Sequence, residues 1–182
     1  MTRTHLANQA FSDEPKSGVR VSIDSLVQAS LVELFNAYGV AFAPLPRSPK
    51  PPPLPDVSVA AAFRSGGSNG RVTLSLPADL LEQMKGAEAN AVRLDWAREL
   101  ANQLLGRIKN RLLPFGIRLD IGALTVVEQK LLERQLQESP GRMYLGRTLR
   151  GPVLATLHGL PQDSALSYVG GVAAVEGAML WL

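Results

Sequence analysis

Residues 91–113, AVRLDWARELANQLLGRIKNRLL, decide how this chain is read. Laid out at about 100° per residue, Leu94, Ala97, Leu100, Ala101, Leu104, Leu105, Ile108 and Leu112 fall on one broad apolar face. Pro114 and Gly116 end the pattern, so the spacing predicts one long helix with Leu100, Leu104 and Ile108 seated on a sheet. Asp95, Glu99, Asn102 and Gly106 follow i, i+4, i+7, i+11 spacing and form one line on the solvent side, within about 60° of each other. Gly106 is the odd member, because a glycine inside a helix costs about 1 kcal/mol relative to alanine. Core packing does not account for that cost on a solvent face. A partner that must come close and a tolerated kink are both compatible with it.

Outward from this helix the chain reads as an α+β single domain: a mainly antiparallel β-sheet with the long helix and a second helix packed on one face. Upstream, Ile23, Leu26, Val27, Leu31, Leu34 and Phe35 recur at helical spacing, which predicts a helix over Ser22–Tyr38 closed by Gly39. Seven of the 13 prolines lie between Pro44 and Pro55, which reads as an extended connector over 44–55. Val57–Arg64 and Arg71–Leu76 are apolar runs joined by SGGSNG, a hairpin signature. The glycines there complete no phosphate-binding fingerprint. Pro77-Ala-Asp opens a short helix to about Lys85. Downstream, Ile117–Ile121 and Ala123–Val127 read as strands split by Gly122, and EQKLLERQLQES as a helix or a structured loop. Met143–Leu149, Val153–His158 and Ala178–Leu182 read as strands. Residues 1–18 are expected to be a flexible tail and 19–182 one domain.

Composition limits the chemistry. With 182 residues, 46% hydrophobic and 19% charged, the chain can bury one full-sized core. It has no cysteine, hence no disulfide and no thiolate, and two histidines, His5 and His158, too few for a two-histidine metal site to be expected. On an apolar strand, His158 reads as a core or edge residue rather than a base. The N-terminal segment has no apolar core of a secretory signal and no window is long enough to span a membrane, so the expected location is the cytoplasm and no membrane partner is expected. Net charge is +3, and the basic residues are scattered (Arg64, Arg71, Arg93, Arg107, Arg118, Arg134, Arg147) without interleaved aromatics, so no nucleic-acid partner is expected. A weak positive field suits an acidic protein partner equally well.

The line Asp95-x-x-x-Glu99-Leu-x-Asn102-x-x-x-Gly106 resembles the signature helix of the CheX/CheC/FliY chemotaxis phosphatases. PFGIRLDIGALTVV (114–127) resembles the segment that follows it in that family, and the order of elements from 20 to 160 resembles the single-motif CheX branch. The resemblance implies an aspartyl-phosphate phosphatase acting on a phosphorylated CheY-like receiver domain. The receiver itself supplies Mg²⁺ and a lysine, and this chain is expected to bind no metal or cofactor of its own. Phosphoryl transfer is mostly positioning plus electrostatics, and a carboxamide can orient a water through its carbonyl and NH₂ without exchanging a proton. The resemblance gives that role to Asn102. It gives Glu99 an ion pair with the receiver lysine. Asp95 and Gly106 on the same line, and Arg98 beside it, are the expected docking residues. The resemblance leaves the target receiver and the oligomeric state, monomer or homodimer, open.

Two positions depart from the family pattern: Arg98 stands where glycine is common, and Gln103 where methionine is. Segment 128–142 is longer than in compact members. A second Glu-x-x-Asn, Glu33–Asn36, lies on the first helix, but position 40 is Val40 and Gly39 ends the helix within a turn. The alternative to an enzyme is a non-catalytic module of the same fold that docks on a receiver or a flagellar or signalling assembly.

Overall fold

Ser22 and Ser25 begin the first helix, α1 (Ile23–Asn36), by exchanging hydrogen bonds: each side-chain hydroxyl accepts the other's backbone N–H at 3.1 Å. At the far end the Val40 N–H reaches the Phe35 carbonyl and the Gly39 N–H reaches Asn36, with Gly39 at φ 67°. That turn needs a left-handed residue, and glycine adopts it without strain. The helix thus ends two residues before the expected Tyr38, which becomes part of its cap. The structure, a computed structural model, describes residues 21–46, 53–85, 90–139, 141–160 and 166–167. The expected tail over 1–18 and the strand expected at Ala178–Leu182 lie outside them.

A two-residue strand, β1 (Ala43–Pro44), follows α1, so the proline-rich connector starts as the edge of the sheet rather than as a free loop. Pro44 has no N–H to offer, and an edge strand is where that loss is tolerated. Strands β2 (Val57–Ser65) and β3 (Ser68–Leu76) form the hairpin, with only Gly66 and Gly67 in the turn. Ser68, Asn69 and Gly70, expected in the loop, extend β3 instead. Then come α2 (Ala78–Lys85), α3 (Asn90–Leu112), β4 (Asp120–Val126), α4 (Gln129–Glu138), β5 (Arg142–Thr148) and β6 (Gly151–His158). The sheet runs β1-β5-β6-β3-β2-β4 and is antiparallel throughout.

Gly122 does not divide two strands, as the sequence suggests; β4 passes through it. The register against β2 shifts between Ala61 and Phe63, where β4 carries one residue more than its partner. A Cβ at Gly122 would sit 3.2 Å from the Ala62 carbonyl oxygen. The glycine marks a bulge at which the two backbones come close.

Side chains alternate across the sheet. Val59, Ala61, Phe63, Val72, Leu74, Val153, Ala155 and Leu157 face α1 and α3 and form the main core. From α3, Ala97, Leu100, Leu104, Leu105, Ile108 and Leu112 enter this core and are fully buried, on the face the wheel assigns to them. An ion pair of 3.3 Å between Arg93 and Glu82 ties α3 to α2. The opposite sheet face carries Ser58, Ala60, Thr73, Ser75, Leu154 and Thr156, and the Ser58 and Ser75 hydroxyls bond to each other at 2.8 Å. There α4, the segment readable as helix or loop, is a helix that covers Leu154 with Leu132 and Leu136.

Candidate functional site

The outward face of α3 is where the candidate residues lie. Burying its apolar face leaves Asp95, Glu99 and Asn102 exposed and Gly106 half-exposed, so the four stand in one line as the spacing requires. A Cβ added at Gly106 would meet nothing within 4 Å. Among the described residues no packing contact therefore accounts for a glycine there.

Arg98 bonds Asp95 at 2.7 Å, one turn back along its own helix. Its guanidinium is thereby drawn toward the helix N-terminus and away from Asn102. Glu99 is held differently. The Gln103 Nε2 donates to Glu99 Oε1 at 2.8 Å, and the Tyr38 hydroxyl donates to Gln103 Oε1 at 2.9 Å. Arg107 Nη1 donates to the Gln103 carbonyl oxygen at 3.3 Å. The Tyr38 ring meets Trp96 edge to face, with centroids 5.3 Å apart. A neutral carboxamide, itself fixed by a tyrosine, thus anchors one oxygen of Glu99 and leaves its negative charge in place. The Asn102 side chain makes no hydrogen bond to another described residue.

The Tyr38–Gln103 support is the part that sequence reasoning missed. The i, i+4 spacing of Glu99 and Gln103 signals their contact. Nothing local signals Tyr38, which is 65 residues from Gln103. Its placement follows from α1 and α3 running antiparallel, which also brings Glu33 to Arg111 as an ion pair.

His158 lies half-buried on the other side of the sheet, in a cavity of about 410 Å³ under α4 lined also by Arg71, Thr73, Leu132 and Thr156. Burial, with a smaller contribution from Arg71, lowers its pKa below the ordinary imidazole value. The imidazole makes no side-chain hydrogen bond to another described residue, so it forms no nucleophile–base pair. Burial and a 2.8 Å bond to Asp24 raise the pKa of Tyr144 well above the usual phenol value, so its hydroxyl stays a donor that ties β5 to α1. Among the described residues no three His, Asp or Glu side chains converge to hold a metal, and no helix is long and apolar enough to cross a membrane.

No protein-family profile and no curated protein matches this chain in sequence. Solved structures do match it in three dimensions. The chemotaxis protein CheX from Vibrio vulnificus is 18% identical and superposes at a TM-score of 0.61 over 79% of this chain and 100% of its own. A CheC-like superfamily protein from Shewanella sp. PV-4 gives 18% identity and 0.60 over 76% of this chain and 97% of its own. A chain of the CheX–CheY–BeF₃–Mg²⁺ complex from Borrelia burgdorferi gives 10% and 0.57 over 78% of this chain and 100% of its own. The α+β fold of this chain is the fold of the CheX chemotaxis proteins.

Proposed function

We propose that this chain is a CheX-like member of the CheC/CheX/FliY family and speeds hydrolysis of the aspartyl phosphate of a CheY-like receiver domain. The observation that carries this is the contrast within one helical turn of α3: Glu99 is anchored through Gln103 and Tyr38, while the Asn102 carboxamide is exposed and uncommitted. The shared fold with a CheX complexed to CheY supports the choice of partner.

In this reading Asn102 enters the receiver's phosphorylated site. Its carbonyl oxygen accepts from a water, its NH₂ orients on the receiver, and the water is held in line with the Asp–P bond. Glu99 offers its free oxygen to the receiver lysine, and the gain is largest because the pair is enclosed at the centre of the contact. Gly106 lets the receiver's backbone approach α3. In this reading Mg²⁺ would come with the receiver and would supply charge neutralisation at the phosphoryl group, while Asn102 and Glu99 position the water and pair with the lysine.

The second reading, a receiver-docking module without hydrolysis, draws on Arg98 beside the line. The Arg98–Asp95 pair weakens it, since the guanidinium is turned from the Asn102 approach. The deciding experiment follows the acyl-phosphate lifetime of CheY-like receivers with Mg²⁺, with and without this protein. Wild type shortens the lifetime of its target, and Asn102→Ala binds the same beryllofluoride-activated receiver without shortening it. Full stimulation by Asn102→Ala overturns the enzyme reading.

A further inference from the structure

Basic residues that are scattered in the sequence converge at the C-terminal end of α3. Arg64 at the end of β2, Lys109 on α3 and Arg118 before β4 line one open cleft of about 700 Å³ beside the Gly66–Gly67 turn. Among the described residues Asp120 is the one carboxylate that lines it. None of the three cations forms an ion pair with a described residue. The fold brings together three like charges around one carboxylate, Asp120, which lies opposite Arg64 in the β2–β4 ladder, so the described lining of the cleft is net positive.

The cleft and the candidate site share α3. Lys109 is seven residues beyond Asn102, two helical turns, so it lies on the same face of α3 about 10 Å further along. The line Glu99, Asn102, Gly106, Lys109 runs from an anchored carboxylate into a cationic cleft. We infer that the Arg64–Lys109–Arg118 cleft receives a carboxylate-bearing segment of the same receiver that docks on α3, and so sets which receivers are captured. This rests on the receiver-docking reading above. Charge complementarity fits an acidic segment, and among the described residues no aromatic side chain lines the cleft to stack a nucleic-acid base. Charges at the rim of a contact act mainly on capture rate and salt dependence.

The test is the receiver concentration giving half-maximal stimulation, measured at about 0.01 and 0.15 M salt, where the screening length is roughly 30 and 8 Å. The double change Lys109→Glu/Arg118→Glu is expected to raise that concentration about tenfold at low salt and to flatten its salt dependence. Lys109→Gln/Arg118→Gln is expected to fall between, and this milder pair keeps the test valid if charge reversal disturbs folding. Arg134→Glu, on exposed α4, changes net charge elsewhere and is expected to leave the value unmoved. Wild-type values in both double variants overturn the inference, as does an equal shift from Arg134→Glu. So does a labelled oligonucleotide whose binding alone responds to the double variants. If wild type stimulates no receiver, the phosphatase reading itself fails and the inference with it. If wild type stimulates and the double variants match it, only the inference fails.

Discussion

Two Glu-x-x-Asn pairs lie on neighbouring antiparallel helices, and the fold uses their carboxylates in opposite ways. On α1, Glu33 meets the Arg111 guanidinium of α3, so its charge is already answered within the molecule. On α3, among the described residues, Glu99 bonds only the neutral amide of Gln103, steadied by Tyr38, so it is held in position with its charge available. Asn36 is the last residue of α1, and its carbonyl is engaged by the Gly39 turn. Asn102 is mid-helix, with open space at Gly106 a turn away. Spacing fixes where such side chains point. Their neighbours fix what charge they present.

The sharpest way to break this comparison is to remove both asparagines in turn. Asn102→Ala is expected to lower stimulated hydrolysis about a hundredfold at saturating receiver, since a lost positioning group costs on that order. Asn36→Ala is expected to leave the rate unchanged. Equal losses in single-turnover assays would make the two pairs equivalent. Next in size is Glu99→Ala, expected to weaken receiver binding about tenfold by removing a charge from the centre of the contact. Titration against beryllofluoride-activated receiver reads this directly.

Tyr38→Phe tests the anchoring. It removes one hydroxyl and keeps the ring against Trp96, and it is expected to weaken receiver binding about threefold, the loss of a modest hydrogen bond. A binding constant equal to wild type would mean that Gln103 holds Glu99 unaided. Smaller still is Glu33→Gln, an exposed ion pair whose removal costs roughly 0.2–1 kcal/mol of stability in denaturant unfolding and leaves the receiver response alone. Gly106→Ala runs the other way. Helix propensity and open space predict a gain in stability of up to about 1 kcal/mol, and weaker receiver binding if the glycine serves close approach.

What could be read from the chain beforehand was whatever local periodicity encodes. The buried and exposed faces of α3, the Gly39 cap and the hairpin each follow from residues within a few positions of one another. The Tyr38–Gln103 bond joins segments 65 residues apart, and the basic cleft draws Arg64, Lys109 and Arg118 from three elements. Neither leaves a local trace, which is why the arginines look scattered along the sequence. Gly122 misled because a glycine that breaks a strand and one that marks a bulge look alike in sequence; only the Ala62 carbonyl across the ladder distinguishes them. The α4 segment was ambiguous because its burial rests chiefly on two leucines, Leu132 and Leu136.

The two ends of the sheet are unequal. Among the described residues one edge is β1, two residues long with a proline, and the other is β4, a seven-residue strand. A short edge with a missing N–H offers almost no template for another strand, whereas a long one does. A sheet with two open edges is a monomer for polymerisation, because each added copy presents a fresh end. Among the described residues this sheet carries such a template at β4 and not at β1, so strand addition is favoured at one end over the other.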